Sequence, residues 1–255
     1  MRIILYLSIF LINGVVLSQN IEELINQGDF YAEKEFNNKK ALELYLQAEK
    51  IAPNNHDILW RISRAFVDIA EHMPDATSEQ KKEQEKIYNL ALEYAERSVK
   101  IAPDKTITLL RRAIANGRIA LYKGVFSVSG VVNSVKEDLE KAISLNNSGT
   151  IALATSYYVL ARTHSKTSEK SKLFRMPLGL GWADLDKAIE YFEKAIKLRP
   201  DFRMYRLDYA KALIKKEDNK KAIEQLEAIK NIPKYDEDDD EFLKEAEKLI
   251  KELKK

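Results

Sequence analysis

Four helical segments set a basic residue directly after a small one at a matching place: Ser63-Arg64 in WRISRAF, Gly117-Arg118 in NGRIALY, Ala161-Arg162 in VLARTHS and Ala210-Lys211 in DYAKALI. On a helix, a small side chain marks a place where two helices approach closely. The residue after it is turned by about 100° around the axis. One turn upstream of the four cations stand Trp60, Ile114, Tyr158 and Leu207. Trp60, Arg64, Arg118, Tyr158, Arg162 and Lys211 are therefore a candidate binding stripe, in which apolar or aromatic groups alternate with positive charge. Guanidinium groups pair bidentately with carboxylate or phosphate, and aromatic rings accept the apolar part of a ligand. The stripe suits an anionic, partly apolar guest such as a lipid headgroup, a carboxylate or a peptide terminus. The plainer alternative is that each cation pairs with an acid of the next helix and ties neighbouring helices together. Asp29 holds the corresponding place in the first segment and interrupts the series.

Other chemistry is sparse. His56, His72 and His164 are far apart and lack metal-ligand spacing, and there is no cysteine. No Gly-x-Ser-x-Gly elbow occurs, and the Gly-x-Gly of PLGLGW follows no strand pattern, so it reads as a turn. Carboxylates are mostly interleaved with lysines, as in KEDLEKA, where solvated pairing accounts for them. We therefore expect no catalytic residue, metal or cofactor. With 42 basic and 40 acidic residues, the chain has no long-range field to draw nucleic acid.

The elements that must position these side chains follow from self-similarity. Ala41, Tyr45, Ala48 and Pro53 are spaced by four, three and five residues. Ala91, Ala95, Ser98 and Pro103 repeat that spacing, as do Ala188, Phe192, Ala195 and Pro200. Degenerate copies run Val135, Leu139, Ala142, Asn147 and Ala222, Leu226, Ile229 before Pro233. Each set places small and bulky residues on one helix face and then stops the helix at or near a proline. A second helical segment precedes each, and carries the small-basic pair in all but the first, where Asp29 stands in place of the cation. Residues 74–81, 124–130 and 165–183 read as insertions between paired helices. DEDDDE at 236–241 opens a lysine-rich amphipathic segment, which suits the macrodipole of a terminal capping helix at 236–255.

The insertion SKTSEKSKLFRMPLGLGWAD interleaves lysines and Arg175 with large apolar residues. Phe174, Arg175 and Trp182 are its candidate lid or membrane-contact residues; packing onto the helical stack is the alternative. At the N-terminus, Arg2 precedes an apolar run from Ile3 to Leu17, and Val16-Leu17-Ser18 suits signal-peptidase cleavage. Residues 1–18 are expected to be an export signal, with an uncleaved membrane anchor as the alternative.

The paired helices resemble the tetratricopeptide repeat, with about five pairs in residues 19–235. LWRISRAF, the run from Ala95 to Gly124, and the Leu160-Ala161-Arg162 helix with its long insertion resemble the regulator of microtubule dynamics family. That resemblance implies a non-enzymatic binding or scaffolding protein. Animal members are associated with microtubules, mitochondria or membrane contacts, and one branch binds phospholipid. The expectation is an all-α, right-handed α-solenoid of tetratricopeptide-like hairpins with a C-terminal capping helix. It would be an exported, periplasmic or envelope-associated binding protein whose concave groove holds an anionic ligand. The alternative is a protein–protein scaffold of the envelope without a small ligand. Partners would be protein, or an anionic small molecule or lipid, with peripheral membrane contact as a further option and no nucleic acid.

Overall fold

The computed structural model describes residues 20–255, and every regular element among them is helical. The expected export signal at 1–18 lies outside the described residues. The chain divides into two compact units, the first ending at Ala102 and the second running from Pro103 to Lys255.

In the first unit α1 (residues 20–33) and α2 (Asn38–Ile51) share one buried cluster, and α3 (His56–Glu71) packs on α4 (Ser78–Ile101) and α2. The repeat signature is the packed face. Ala41, Tyr45 and Ala48 on α2, and Ala91, Ala95 and Ser98 on α4, are all buried. Their small side chains let partner helices approach, while Tyr45, Ile58 and Ile62 fill the space between. Both signature helices stop where expected. α2 ends at Ile51, two residues before Pro53, and α4 at Ile101, two before Pro103. The N-termini of α2, α3 and α4 are capped locally: the Asn37 side chain accepts from the Lys40 N–H, Asn55 from the Asp57 N–H, and Thr77 forms a capping box with Gln80. That box corrects part of one expectation. Residues 78–81 are no loop insertion but the first turn of α4, which is 24 residues long.

The second unit contains α5 (Thr106–Lys123), α6 (Ser129–Leu145), α7 (Gly149–Thr167), the short α8 (Lys172–Arg175), α9 (Leu185–Leu198), α10 (Arg203–Lys215), α11 (Asn219–Ile229) and α12 (Asp239–Leu253). α5 packs on α6, α7 on α9, and α10 on α11, while α12 lies against α11 and α10. The degenerate copies are as deeply packed as the strong ones: Leu139, Ala142, Ala222, Leu226 and Ile229 are fully buried. α6 has no proline behind it and stops instead at Asn146, which takes the left-handed conformation at φ 42°.

The start of α5 lacks a local side-chain cap. Its donors are met from the α6–α7 connection: Thr106 N–H donates to Asn147 Oδ1 at 3.0 Å and Ile107 N–H to Ser148 Oγ at 3.1 Å. Thr106 Oγ1 accepts from the Asn147 N–H at 3.1 Å and donates to the Ala142 carbonyl at 2.9 Å. The acidic run before α12 is likewise structural in part. Asp239 is buried, and its Oδ2 accepts from the backbone N–H groups of Tyr235 and Asp236. The buried Arg203 guanidinium donates to the carbonyls of Ile232 and Asp239.

Candidate functional site

The first unit has two carboxylate-centred clusters, and the second of them holds the stripe residue Arg64. Gly28 sits so close to Tyr45 that a Cβ there would lie 2.3 Å from Tyr45 Cε1. That approach lets the Tyr45 hydroxyl donate to Asp29 Oδ1 at 2.7 Å. Arg61 meets the same carboxylate edge-on, Nε to Oδ1 at 2.8 Å and a terminal nitrogen to Oδ2 at 2.9 Å, the fork geometry that favours arginine. Burial, then the bond to Asp29, pushes the Tyr45 phenol well above its ordinary range. Asp29, which interrupts the cation series, is thus the acceptor that joins α1, α2 and α3. The second cluster holds Arg64, which donates to Glu33 Oε1 at 2.8 Å and lies 3.4 Å from Asp68 Oδ2. Burial acts to lower the Arg64 pKa, but Asp68 and Glu33 outweigh it and the net shift is upward. Trp60 is half-buried; its Nε1–H donates to Asp57 Oδ1, and the Arg61 guanidinium lies 4.2 Å from its ring centre.

The second unit brings Arg118, Tyr158, Arg162 and Lys211 into one neighbourhood, centred on Asp208. The Tyr158 hydroxyl donates to Asp208 Oδ2 at 2.6 Å, and Arg162 Nε lies 3.1 Å from the same oxygen. Lys211 Nζ lies 3.6 Å from Asp208 Oδ1 and 3.0 Å from Glu245 on α12. The Arg118 charge also acts on the Tyr158 hydroxyl, favouring its ionised form, but burial dominates and holds the phenol neutral. One expectation needs correcting here. Tyr158 does not line an open groove: it is 2% exposed, and its ring stacks on Tyr205 at 4.4 Å between centres. Its role is to orient the acceptor that the cations share.

The small member of each pair packs as expected at Ser63, Ala161 and Ala210, all fully buried. Gly117 differs, because a Cβ there would meet nothing within 4 Å. Neither Asp29 nor Asp208 was among the candidate residues. The available signal was spacing: Asp208 stands three residues before Lys211, and Asp68 four after Arg64, both on the same helix face.

The insertion after α7 is ordered around Arg175, and this corrects a second expectation. Arg175 is buried, with Nε donating to the Lys170 carbonyl at 2.8 Å. One terminal nitrogen donates to the carbonyls of Leu180 at 3.0 Å and Ala183 at 2.7 Å. An arginine spent on three carbonyls cannot also meet a surface. Trp182 is half-buried too; its Nε1–H donates to Asn133 Oδ1 at 2.7 Å, and its ring meets His164 edge-on. Leu180 is fully buried in a cluster with Ala120, Val125 and Val132. Of the three candidate insertion residues only Phe174 stays exposed, its ring edge-to-face with Phe126.

Elsewhere in this unit, a shallow depression between α9, α10 and α11 is crossed by Glu193, which accepts from Tyr209 at 2.6 Å and Lys221 at 2.7 Å. Among the described residues no group of three or more His, Asp or Glu side chains is placed to hold a metal, and no helix is long and apolar enough to cross a membrane.

The fold has known counterparts. The chain is similar in fold to a thermophilic tetratricopeptide-repeat protein of Thermus thermophilus, TTC0263, with a TM-score of 0.62 and 19% identity over 89% of this chain and 98% of that one. It also resembles pilF of Pseudomonas aeruginosa, with a TM-score of 0.55 and 14% identity over 93% and 90% of the two chains. These likenesses establish the fold class, an all-α solenoid of tetratricopeptide-like hairpins. In sequence the chain is 28% identical to regulator of microtubule dynamics protein 1 of Bos taurus over 91% of its length and 71% of the relative's. It is 26% identical to regulator of microtubule dynamics protein 3 of Rattus norvegicus, of which it spans about half (49%). The model of the family described as regulator of microtubule dynamics protein 1-3 matches residues 24–254, and the chain belongs to that family.

Proposed function

We propose that the chain is a non-catalytic scaffold that binds protein partners through its helical-repeat faces, without storing a small anionic ligand among its cations. The observation that carries this reading is the engagement of the stripe. Arg64 is held by Glu33 and Asp68, Arg162 by Asp208, and Lys211 by Asp208 and Glu245. A ligand carboxylate would have to displace an acid already in place, at little gain. Partly buried pairs of this kind tie adjacent hairpins, and removing one partner leaves the other charge desolvated.

The second reading keeps Trp60, Arg64, Arg118, Arg162 and Lys211 as ligand contacts. It is favoured by the partial exposure of Arg162 and Lys211. Arg162→Leu and Arg118→Leu separate the two. On the scaffold reading Arg162→Leu lowers unfolding stability by about 1–3 kcal/mol, and native mass spectrometry of protein taken from cells finds no retained small anion. A retained anionic lipid or metabolite, lost in the double variant at unchanged stability, would overturn the scaffold in favour of the ligand site.

The proposed location is the cell envelope, reached through the N-terminal apolar segment. N-terminal sequencing of the purified protein, starting at Gln19 or at Met1, separates a cleaved signal from an anchor. An exported chain meets no microtubule, so the activity in its relatives' names is not part of the proposal.

A further inference from the structure

We propose that the tip of the α8 insertion docks on an anionic lipid surface. Leu173, Phe174 and Met176 are 82%, 50% and 59% exposed, the largest run of exposed apolar side chains among the described residues. Exposure of this kind in a mobile loop would mean little, but this turn is braced from beneath. Arg175, between Phe174 and Met176, is anchored on three backbone carbonyls, and Leu180 is buried below. Ser171 Oγ accepts from the Phe174 N–H at 3.4 Å, and Gly179 closes the turn at φ 71°. The apolar side chains are therefore held out toward solvent on a rigid mount, and their ordering cost is met by folding.

The charge pattern selects the occupant. Lys170 and Lys172 stand just before the apolar residues and are exposed. No acidic residue occurs from Lys170 to Ala183. Lysine is depleted at the buried core of protein interfaces, where it would have to be desolvated. At a lipid surface its long stem keeps the ammonium among the headgroups while neighbouring apolar groups enter the acyl boundary. The size of the tip agrees. Three side chains on a single turn fall far short of the roughly 800 Å² per partner of a stable protein interface. They are enough for shallow, reversible insertion assisted by an anionic leaflet.

The full-length protein should float with vesicles of phosphatidylcholine and phosphatidylglycerol, and much less with phosphatidylcholine alone. Lys170→Glu with Lys172→Glu should weaken binding by about fivefold or more per lysine at low salt. Leu173→Ser, Phe174→Ser and Met176→Ser combined should weaken it at least tenfold, with thermal stability lowered only by loss of the edge contact between Phe174 and Phe126. The chain has no cysteine, so Leu173→Cys offers a single site for a polarity-sensitive dye. Its emission should shift to the blue on adding anionic vesicles. That readout separates the tip from binding through the N-terminal segment. Vesicle-bound protein whose dye does not shift would overturn the proposal. So would a triple variant that binds vesicles as wild type does but no longer captures a protein partner, which would make the tip a protein-docking site.

Discussion

His164 shows at the scale of one residue how the fold uses a titratable group for packing. The ring is buried between Trp182 and Tyr191, and its Nδ1 accepts the Asp184 N–H at 3.2 Å. A protonated imidazole cannot accept there. Burial first, and then the nearby Lys136 charge, push the pKa from 6.5 down to about 4, against weaker opposing effects of Asp184 and Glu140. Because the folded value lies below the unfolded one, the stability due to the neutral ring is complete above about pH 6.5. It is lost as pH falls toward 4, up to about 3 kcal/mol. Urea unfolding at pH 7, 5.5 and 4.5 should show a steeper acid loss for wild type than for His164→Gln; equal slopes would contradict this account. The same scale explains why the site was only half legible. Cation positions follow from helix spacing, and Arg118, Arg162 and Lys211 do gather. Which acid meets them depends on the approach of a second helix, and a linear pattern does not specify it. Arg175 was misread for a related reason: beside Phe174 and Met176 it looks like a surface cation, and only closure of the loop aims it at carbonyls.

For helices, the small residues of the repeat divide into those the packing demands and one it does not. Gly28→Ala would drive a Cβ to 2.3 Å from a Tyr45 ring pinned by Asp29. It should cost about 1–3 kcal/mol. Gly117 lies inside α5 with open space around it, so Gly117→Ala should stabilise by about 0.5–1 kcal/mol through lower backbone entropy in the unfolded chain. Thermal melts of the two variants should move in opposite directions, and a shift of the same sign would show that position in the repeat, not local space, sets the effect. Asn147→Ala tests how α5 begins. It removes the acceptor for the Thr106 N–H and the donor to the Asp104 carbonyl. A loss of about 1–2 kcal/mol in chemical unfolding is expected. Helix positions were largely readable from the sequence, because alanine-rich faces and terminal prolines each have a local physical cause. Asn147 was legible only as a missing proline; its service to α5 is a long-range contact.

Considered whole, the molecule repeats one device in each unit: a carboxylate set between helices collects a tyrosine hydroxyl and an arginine, at Asp29 in the first and Asp208 in the second. The fold class was readable because copies of the repeat carry their own signatures, and even degenerate copies keep the buried positions. The insertion after α7 was not, since it belongs to no repeat and its order depends on a buried arginine. On the scaffold reading, binding resides on surfaces that the repeats merely present, which is why composition and spacing are informative about fold and nearly silent about partner.

The way α5 begins also has a consequence for synthesis. The first unit's helices from α2 to α4 carry their caps beside them in Asn37, Asn55 and Thr77, so each can settle soon after it leaves the ribosome. Thr106 must meet a side chain 41 residues downstream. The opening turn of α5 therefore stays frayed until Asn147 and Ser148 have been translated. The N-terminal unit matures while the next is still being made, and the nascent chain acquires its structure in two instalments.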